Sequence, residues 1–267
     1  MSESNSVMQW GDEVLVQKTL TPADSPVLLR FNALKKQNVI LTLEGSGKME
    51  IKVELPEGAK VTLLWWNRGD ALELQETYDV GEYADLVLAY ADLRDCNVSR
   101  KSEVRLVGEM ARAELRSASV VSKESTVSYQ MTHVHSDTTS EMGNYAVMAD
   151  GGQLKMDVIG RIEKSAPRSQ AHQSSRVLSL SSNQKATVYP KLYIDNNDVQ
   201  AGHAQSIGQV DEEHLYYLQA RGLNRDEATK LIVYGYLYPV AEIIQDEALR
   251  DLFLNEIREK VNQTCLT

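Results

Sequence analysis

Only two cysteines, Cys96 and Cys265, occur in the 267 residues. So few exclude a disulfide framework and a cysteine-rich metal site, and they fit a reducing compartment. Phenylalanine is also scarce, 2 against 12 Tyr and 3 Trp, so a core resting mainly on Val, Leu, Ile and Met is expected. Basic residues are outnumbered: 28 Lys and Arg face 38 Asp and Glu, for a net charge of −10. A sequence-independent nucleic-acid binder needs clustered cations to displace counterions, and an anionic membrane surface demands the same. Neither is expected as a partner. The opening stretch, MSESNSVMQWGDE, is polar and acidic, without the basic and apolar regions of a signal peptide. No apolar run has the length of a membrane span. The longest candidate, 231–244, contains Gly235, Pro239 and Glu242. A cytoplasmic protein is expected. There is no GxxxxGK[ST] loop and no local Ser-His-Asp or Cys-His arrangement, so no nucleotide hydrolysis or nucleophilic catalysis is marked. The many carboxylates read as a solvated acidic surface.

What is present is strand after strand. Residues 49–55, Met-Glu-Ile-Lys-Val-Glu-Leu, alternate strictly, which turns one face inward. Further strands are expected at 39–44, 61–66, 71–75, 85–90, 103–107, 113–121, 126–135, 145–148, 154–162, 177–180 and 186–194. Their starts recur roughly every 10–15 residues, with turn residues between them. An antiparallel sandwich and a β-solenoid both fit such a series. No fixed-length repeat separates the two.

At Asp211 the pattern changes. Asp211-Glu212-Glu213 opens a helix with acids at its positive end, and Gly222 is its natural stop. Asn224 caps a second helix, with Glu227 three residues on. A third, over about 241–262, places Leu249, Leu252, Phe253, Ile257 and Val261 on one stripe. The chain thus divides into a β core, 1–200, and a helical segment, 201–267. His133 and His135 would share a strand face and could in principle reach one ion, but a polar strand face is the simpler reading. Cys96 reads as an inert turn thiol. His203 lies between the last recognisable strand and the first helix, and by itself reads as a structural loop histidine.

Residues 160–235 carry ordered matches to one family. Ala166-Pro167-Arg168-Ser169-Gln170-Ala171-His172-Gln173-Ser174-Ser175-Arg176-Val177-Leu178-Ser179-Leu180-Ser181 resembles the stretch A-x-x-[ST]-x-A-x-Q-x-N-R-x-L-L-L-S. Tyr189-Pro190-Lys191-Leu192-Tyr193-Ile194 resembles P-x-L-x-I, and residues 198–208 resemble D-V-x-C-S-H-G-A-T-V-G. Residues 211–223 resemble D-E-x-x-L-F-Y-L-x-S-R-G-L, and residues 227–232 resemble E-A-x-x-L-I. All of these belong to the SufB/SufD family of iron–sulfur cluster assembly scaffolds. Upstream of residue 130 the resemblance is one of pattern alone.

The resemblance implies a mostly β fold, a right-handed parallel β-helix with a C-terminal α-helical segment. It implies a non-enzymatic scaffold that pairs with a SufB-like subunit, or with itself when alone, and binds a SufC-like ABC-type ATPase. The candidate ATPase contacts are Leu215, Leu218, Arg221, Leu231, Ile232 and Tyr236. His203 matches the family histidine implied to hold a transient iron–sulfur cluster, or iron, at the subunit interface. Ala201 stands where the family has a nearby Cys, and Tyr189 and Pro190 occupy the region of the SufB interface Cys. The chain therefore resembles SufD more than SufB, in a short form. Two rival readings stay open: a cytosolic β-helix acting on carbohydrate through groove carboxylates, and an assembly protein in which His203 ligates nothing.

Overall fold

The computed structural model describes residues 6–9, 15–32, 36–244 and 246–264; Cys265 lies outside them. Strands dominate its first part. They are β1 (Ser6–Gln9), β2 (Leu15–Leu20), β3 (Val27–Arg30), β4 (Lys36–Leu43), β5 (Ser46–Leu55), β6 (Lys60–Asn67), β7 (Ala71–Val80) and β8 (Asp85–Asp92). Then follow β9 (Asn97–Leu106), β10 (Arg112–Val121), β11 (Glu124–His133), β12 (Thr139–Met148), β13 (Gln153–Ile162), β14 (Ser169–Ser179), β15 (Lys185–Ile194) and β16 (Val199–Gln209). Odd-numbered strands stack in order as one eight-stranded sheet, sheet A, and even-numbered strands as a second, sheet B. Neighbours within each sheet run parallel. Two parallel sheets filled alternately along the chain are a β-solenoid, here of about 7 turns, and the sandwich alternative falls.

The missing repeat has a physical explanation. Lys60 lies beside Lys36, an offset of 24 (60 − 36), whereas Lys185 lies beside Gln153, an offset of 32 (185 − 153). The coils lengthen along the chain, so no fixed period survives although the stacking is regular. One corner is built alike in successive coils: Tyr83, Met110, Asp137 and Arg168 all adopt positive φ, between 54° and 59°. Each donates its backbone N–H to a carbonyl of the next coil's corner. Close packing at the corner requires glycine beside Met110. A methyl group on Gly108 would overlap the Glu82 amide nitrogen and the Gly81 carbonyl carbon. Gly108→Ala is expected to cost about 1–3 kcal/mol by overpacking, seen as a lower urea midpoint with an unchanged slope.

Inside the solenoid the inward rows of both sheets form one core, with Val, Leu, Ile and Met at most positions. Trp65, Tyr78, Tyr90 and Tyr129 are also fully enclosed, so the core uses aromatics despite the shortage of Phe. The tyrosines belong to a polar knot. Glu76 Oε2 accepts from the Tyr78 and Tyr90 hydroxyls at 3.0 and 2.5 Å. Its Oε1 accepts from Arg100. Arg100 Nη2 also donates to Asp92 Oδ1 at 3.2 Å, which Asn67 Nδ2 reaches at 3.0 Å. The guanidinium lies 4.2 Å from the Tyr90 ring centre. Burial works against the Arg100 charge, but the Asp92 and Glu76 carboxylates hold its pKa well above the ordinary value.

The C-terminal helices are α1 (Glu212–Gln219), α2 (Arg225–Leu237), α3 (Pro239–Glu242) and α4 (Glu247–Thr264). Asp211 and Asn224 cap the first two, the latter in a capping box, and Gly222 adopts φ 99° after α1. The single helix expected over about 241–262 is instead two, α3 ending at Glu242 and α4 beginning at Glu247. The β portion reaches Gln209 on β16, past the boundary drawn at residue 200. Leu237, Val240, Phe253, Ile257 and Val261 form a second cluster with outward residues of sheet B such as Leu64, Ala89, Val120 and Val147. The helices thus lie on the outside of sheet B. Lys260 binds Asp95 at 2.6 Å and Arg68 binds Glu256, fastening α4 to the coil corners. No helix among the described residues is long and apolar enough to cross a membrane.

Candidate functional site

The helices cover one outer face and leave the last coil bare. Along β15 the inward row is Ala186, Val188, Pro190, Leu192 and Ile194, set by register with the buried row of β13. Along β16 it is Ala201, His203, Gln205, Ile207 and Gln209. These side chains point into the space between the two sheets, and at the last coil no described strand is stacked over them. Ile194 and Ile207 are each 44% exposed, and His203 is exposed beside them. A stacked-repeat protein needs a polar terminal cap to hide its core; no described element covers this end. β15 and β16 are also the sheet edges, so their backbone groups present an unpaired ladder.

His203 therefore lies on an edge strand and not in a loop. The strand was hidden because its row of Gly, Ala, Gln and Ser has no apolar alternation, and alternation registers burial more than strand formation. Its register partner is Gln173, whose Nε2 donates to the Lys191 carbonyl at 3.1 Å. His172 is beside Gly202 on the outward row, next to Glu141. Strand alternation puts His172 and His203 on opposite faces. Among the described residues no group of three His, Cys, Asp or Glu could hold a metal ion. His203 can supply a single imidazole donor, so any iron or cluster held there needs further ligands from outside the described residues. Ala201, in the place of the family Cys, packs with Val199 against Ile162, Ala166 and Ala171.

The other sequence candidates are dispersed. His133 ends β11 inside the solenoid, with Nδ1 at 2.7 Å from Thr138 Oγ1 and Nε2 at 2.8 Å from Ser140 Oγ. His135 is exposed and its Nδ1 accepts from the Ser136 N–H at 3.0 Å. The pair shares no face: His133 is buried inside the solenoid and His135 lies past the end of β11, so neither a shared ion nor a polar strand face describes them. Burial pushes the His133 pKa down to about 4. Below pH ~6.5 the unfolded chain takes up a proton that the folded chain refuses. His133 should thus make stability fall as pH drops from ~6.5 towards ~4, by up to about 1.4 kcal/mol per pH unit. Unfolding curves of His133→Gln should lack that share of the slope. Cys96 is buried, with Asn67 Nδ2 3.9 Å from its sulfur, and burial pushes its thiol pKa up. That environment suits an inert thiol.

Of the six candidate ATPase contacts, Leu215 is buried and Leu218 half-buried. Ile232 and Tyr236 pack towards sheet B, Tyr236 meeting Tyr145 edge-on at 6.3 Å. Leu231 and Arg221 are exposed, Arg221 lying over the Tyr217 ring at 4.4 Å. Tyr216 and Tyr217, 76% and 55% exposed, are more open than Leu231 at 51%, and sequence reading passed over them. The available signal was their place off the Leu215–Leu218 stripe: aromatic residues on the polar side of an amphipathic helix need a reason to be there.

A parallel two-sheet solenoid with helices along one face and an uncapped coil at one end defines a stacked-coil protein with a ready interface. Within that class the chain belongs to the family described as SUF system FeS cluster assembly, SufBD core domain, whose model matches residues 44–236. It is 33% identical over 171 residues to the iron-sulfur cluster assembly protein SufD of Bacillus subtilis, covering 63% of this chain and 39% of that protein. Over 172 residues it is 29% identical to an iron-sulfur cluster assembly SufBD family protein of Pyrococcus horikoshii, covering 64% of this chain and 32% of the other. With the SufD of Escherichia coli it shares 24% over 115 residues, covering 43% and 27% respectively. The chain thus spans well under half the length of these relatives.

Proposed function

We propose that the chain is a SufD-like, non-enzymatic scaffold subunit of a SUF iron–sulfur cluster assembly complex, working in the cytoplasm. The observation that carries this reading is the bare last coil, where Ile194, His203 and Ile207 stand exposed at two open sheet edges. A SufB-like subunit continues the coil stack there, or a second copy does when the chain is alone. The nascent cluster is cargo at that junction, with His203 giving one donor and the partner giving the rest. Imidazole is a suitable ligand for iron.

The α1–α2 surface around Tyr216, Tyr217, Arg221 and Leu231 receives a SufC-like ATPase. Deleting the helices is a poor test, since that would strip the outer face of sheet B of its cover. The cleaner test uses Tyr217→Ala and Leu231→Glu on the folded chain. Co-purification with a SufC-like ATPase should be lost in both, and retention in both would overturn the docking assignment. For the cluster, anaerobic reconstitution with a SufB-like subunit should yield less iron and sulfide with His203→Ala. An unchanged yield, with pairing intact, would leave a pure assembly protein.

A further inference from the structure

Next to His203 is a buried acceptor without a donor. Gln173 is 4% exposed, and its Nε2 donates to the Lys191 carbonyl. That bond fixes which end of the amide is nitrogen. It leaves Oε1 enclosed and without a hydrogen-bond partner. Buried carbonyl oxygens rarely stand unpaired, and each exception calls for an explanation. Gln173 and His203 are register partners on neighbouring parallel strands, both on the inward row. Adjacent strands lie about 4.8 Å apart, within reach of a hydrogen bond between two side chains of this length. The His203 ring itself has no hydrogen-bond partner among the described residues, although it stands at the open end of the coil stack.

We propose that Gln173 is the positioning residue of His203: its Oε1 accepts one imidazole N–H and turns the other ring nitrogen, with its lone pair, out of the open end. A ligating histidine ordinarily donates its second ring N–H to such an acceptor, which sets tautomer and ring orientation. Glutamine suits the task because it accepts without adding a negative charge. A carboxylate in its place would favour the imidazolium, which has no lone pair to give. The Lys191 carbonyl holds the amide from the other side, so the acceptor is set before any ligand arrives. This rests on the reading of His203 as a donor at the interface.

The test is the tautomer of His203 in the free chain, read by two-bond proton–nitrogen correlation on protein labelled with nitrogen-15 histidine. The His203 signal is assigned by its loss in His203→Asn. In the wild type one tautomer should exceed the other roughly tenfold, the worth of one hydrogen bond. Gln173→Met, of similar shape without an acceptor, should bring the two towards equality. Gln173→Glu also supplies an acceptor; read at about pH 9, where an imidazole is neutral, it should keep the single tautomer, a rescue that a merely space-filling role would not give. Circular dichroism establishes that each variant is folded; if the Met variant is not, the wild-type ratio and the Glu variant still decide. Near-equal tautomers in the wild type, or a ratio unmoved in folded Gln173→Met, would overturn the proposal. Failure of the parent reading looks different: the tautomer pattern would hold while His203→Asn left the cluster yield with a SufB-like subunit unchanged.

Discussion

Replacing Arg100 by methionine is expected to cost about 3–5 kcal/mol of unfolding free energy, roughly a fifth or more of what a typical domain possesses. The guanidinium has no solvent exposure, and neither has the Glu76 carboxylate; Asp92 is 7% exposed. Methionine fills much of the same space but supplies no charge and no donor, so two carboxylates remain enclosed without their cation. Solvent cannot relieve them, because the surrounding coils close over the knot. The sign of the pH dependence follows. Burial pushes the Glu76 pKa up, while Arg100, Tyr90 and Tyr78 pull it the other way. Without Arg100 the upward push is less opposed, and the folded variant holds a proton that the unfolded chain releases. The variant should therefore be closest to wild type in acid and lose ground as pH rises from the ordinary carboxylate range upward. Urea unfolding across that range checks both size and direction. Adding Glu76→Gln and Asp92→Asn should recover part of the loss, since the enclosed charges go with them. A folded Arg100→Met chain within 1 kcal/mol of wild type at neutral pH, roughly the worth of one ordinary hydrogen bond, would show that the knot is not held by its charges.

The same knot explains where the sequence was hard to read. The strand expected at 71–75 is β7, which continues through Glu76 to Val80. The strand expected at 103–107 is β9, which begins at Asn97 and includes Arg100. The first reading stopped at Glu76 and the second began only after Arg100 and Ser102, because hydrophobic alternation treats inward charged or polar residues as a break. β16 was invisible for the converse reason: its inward positions face no next coil, so nothing there needs to be apolar. The first two helices were legible at once, since Asp211, Asn224 and Gly222 signal by local backbone chemistry that does not depend on burial. His203 stood out only through the resemblance. No periodicity distinguishes an exposed histidine on an exposed strand, and its register partner Gln173 lies 30 positions earlier (203 − 173), a separation that means nothing until the coils are stacked.

The bare coil leads to the second large effect, on association. Ile207→Lys is expected to weaken pairing through this end by about 100-fold or more, while the single chain stays folded. Ile207 lies on the inward row but is 44% exposed, so a lysine there can hold its charge in water in the unpaired chain. In a continued stack the same position is enclosed, and an ammonium would have to be desolvated with no carboxylate beside it on the inward row. Loss of one central buried contact costs roughly 2 kcal/mol or more at an interface, and an uncompensated buried charge adds to that. Lysine on open sheet edges is also a common way in which natural proteins prevent strand pairing. Gly208→Lys is the control. It lies one residue on, points outward, and has open space where a side chain would begin, so the same charge on the outer face should leave pairing nearly intact. Sedimentation equilibrium of each variant, alone and with a SufB-like subunit, separates the two cases. If Ile207→Lys and the wild type associate equally well, the last coil is not the joining surface, and the bare end must be covered in some other way.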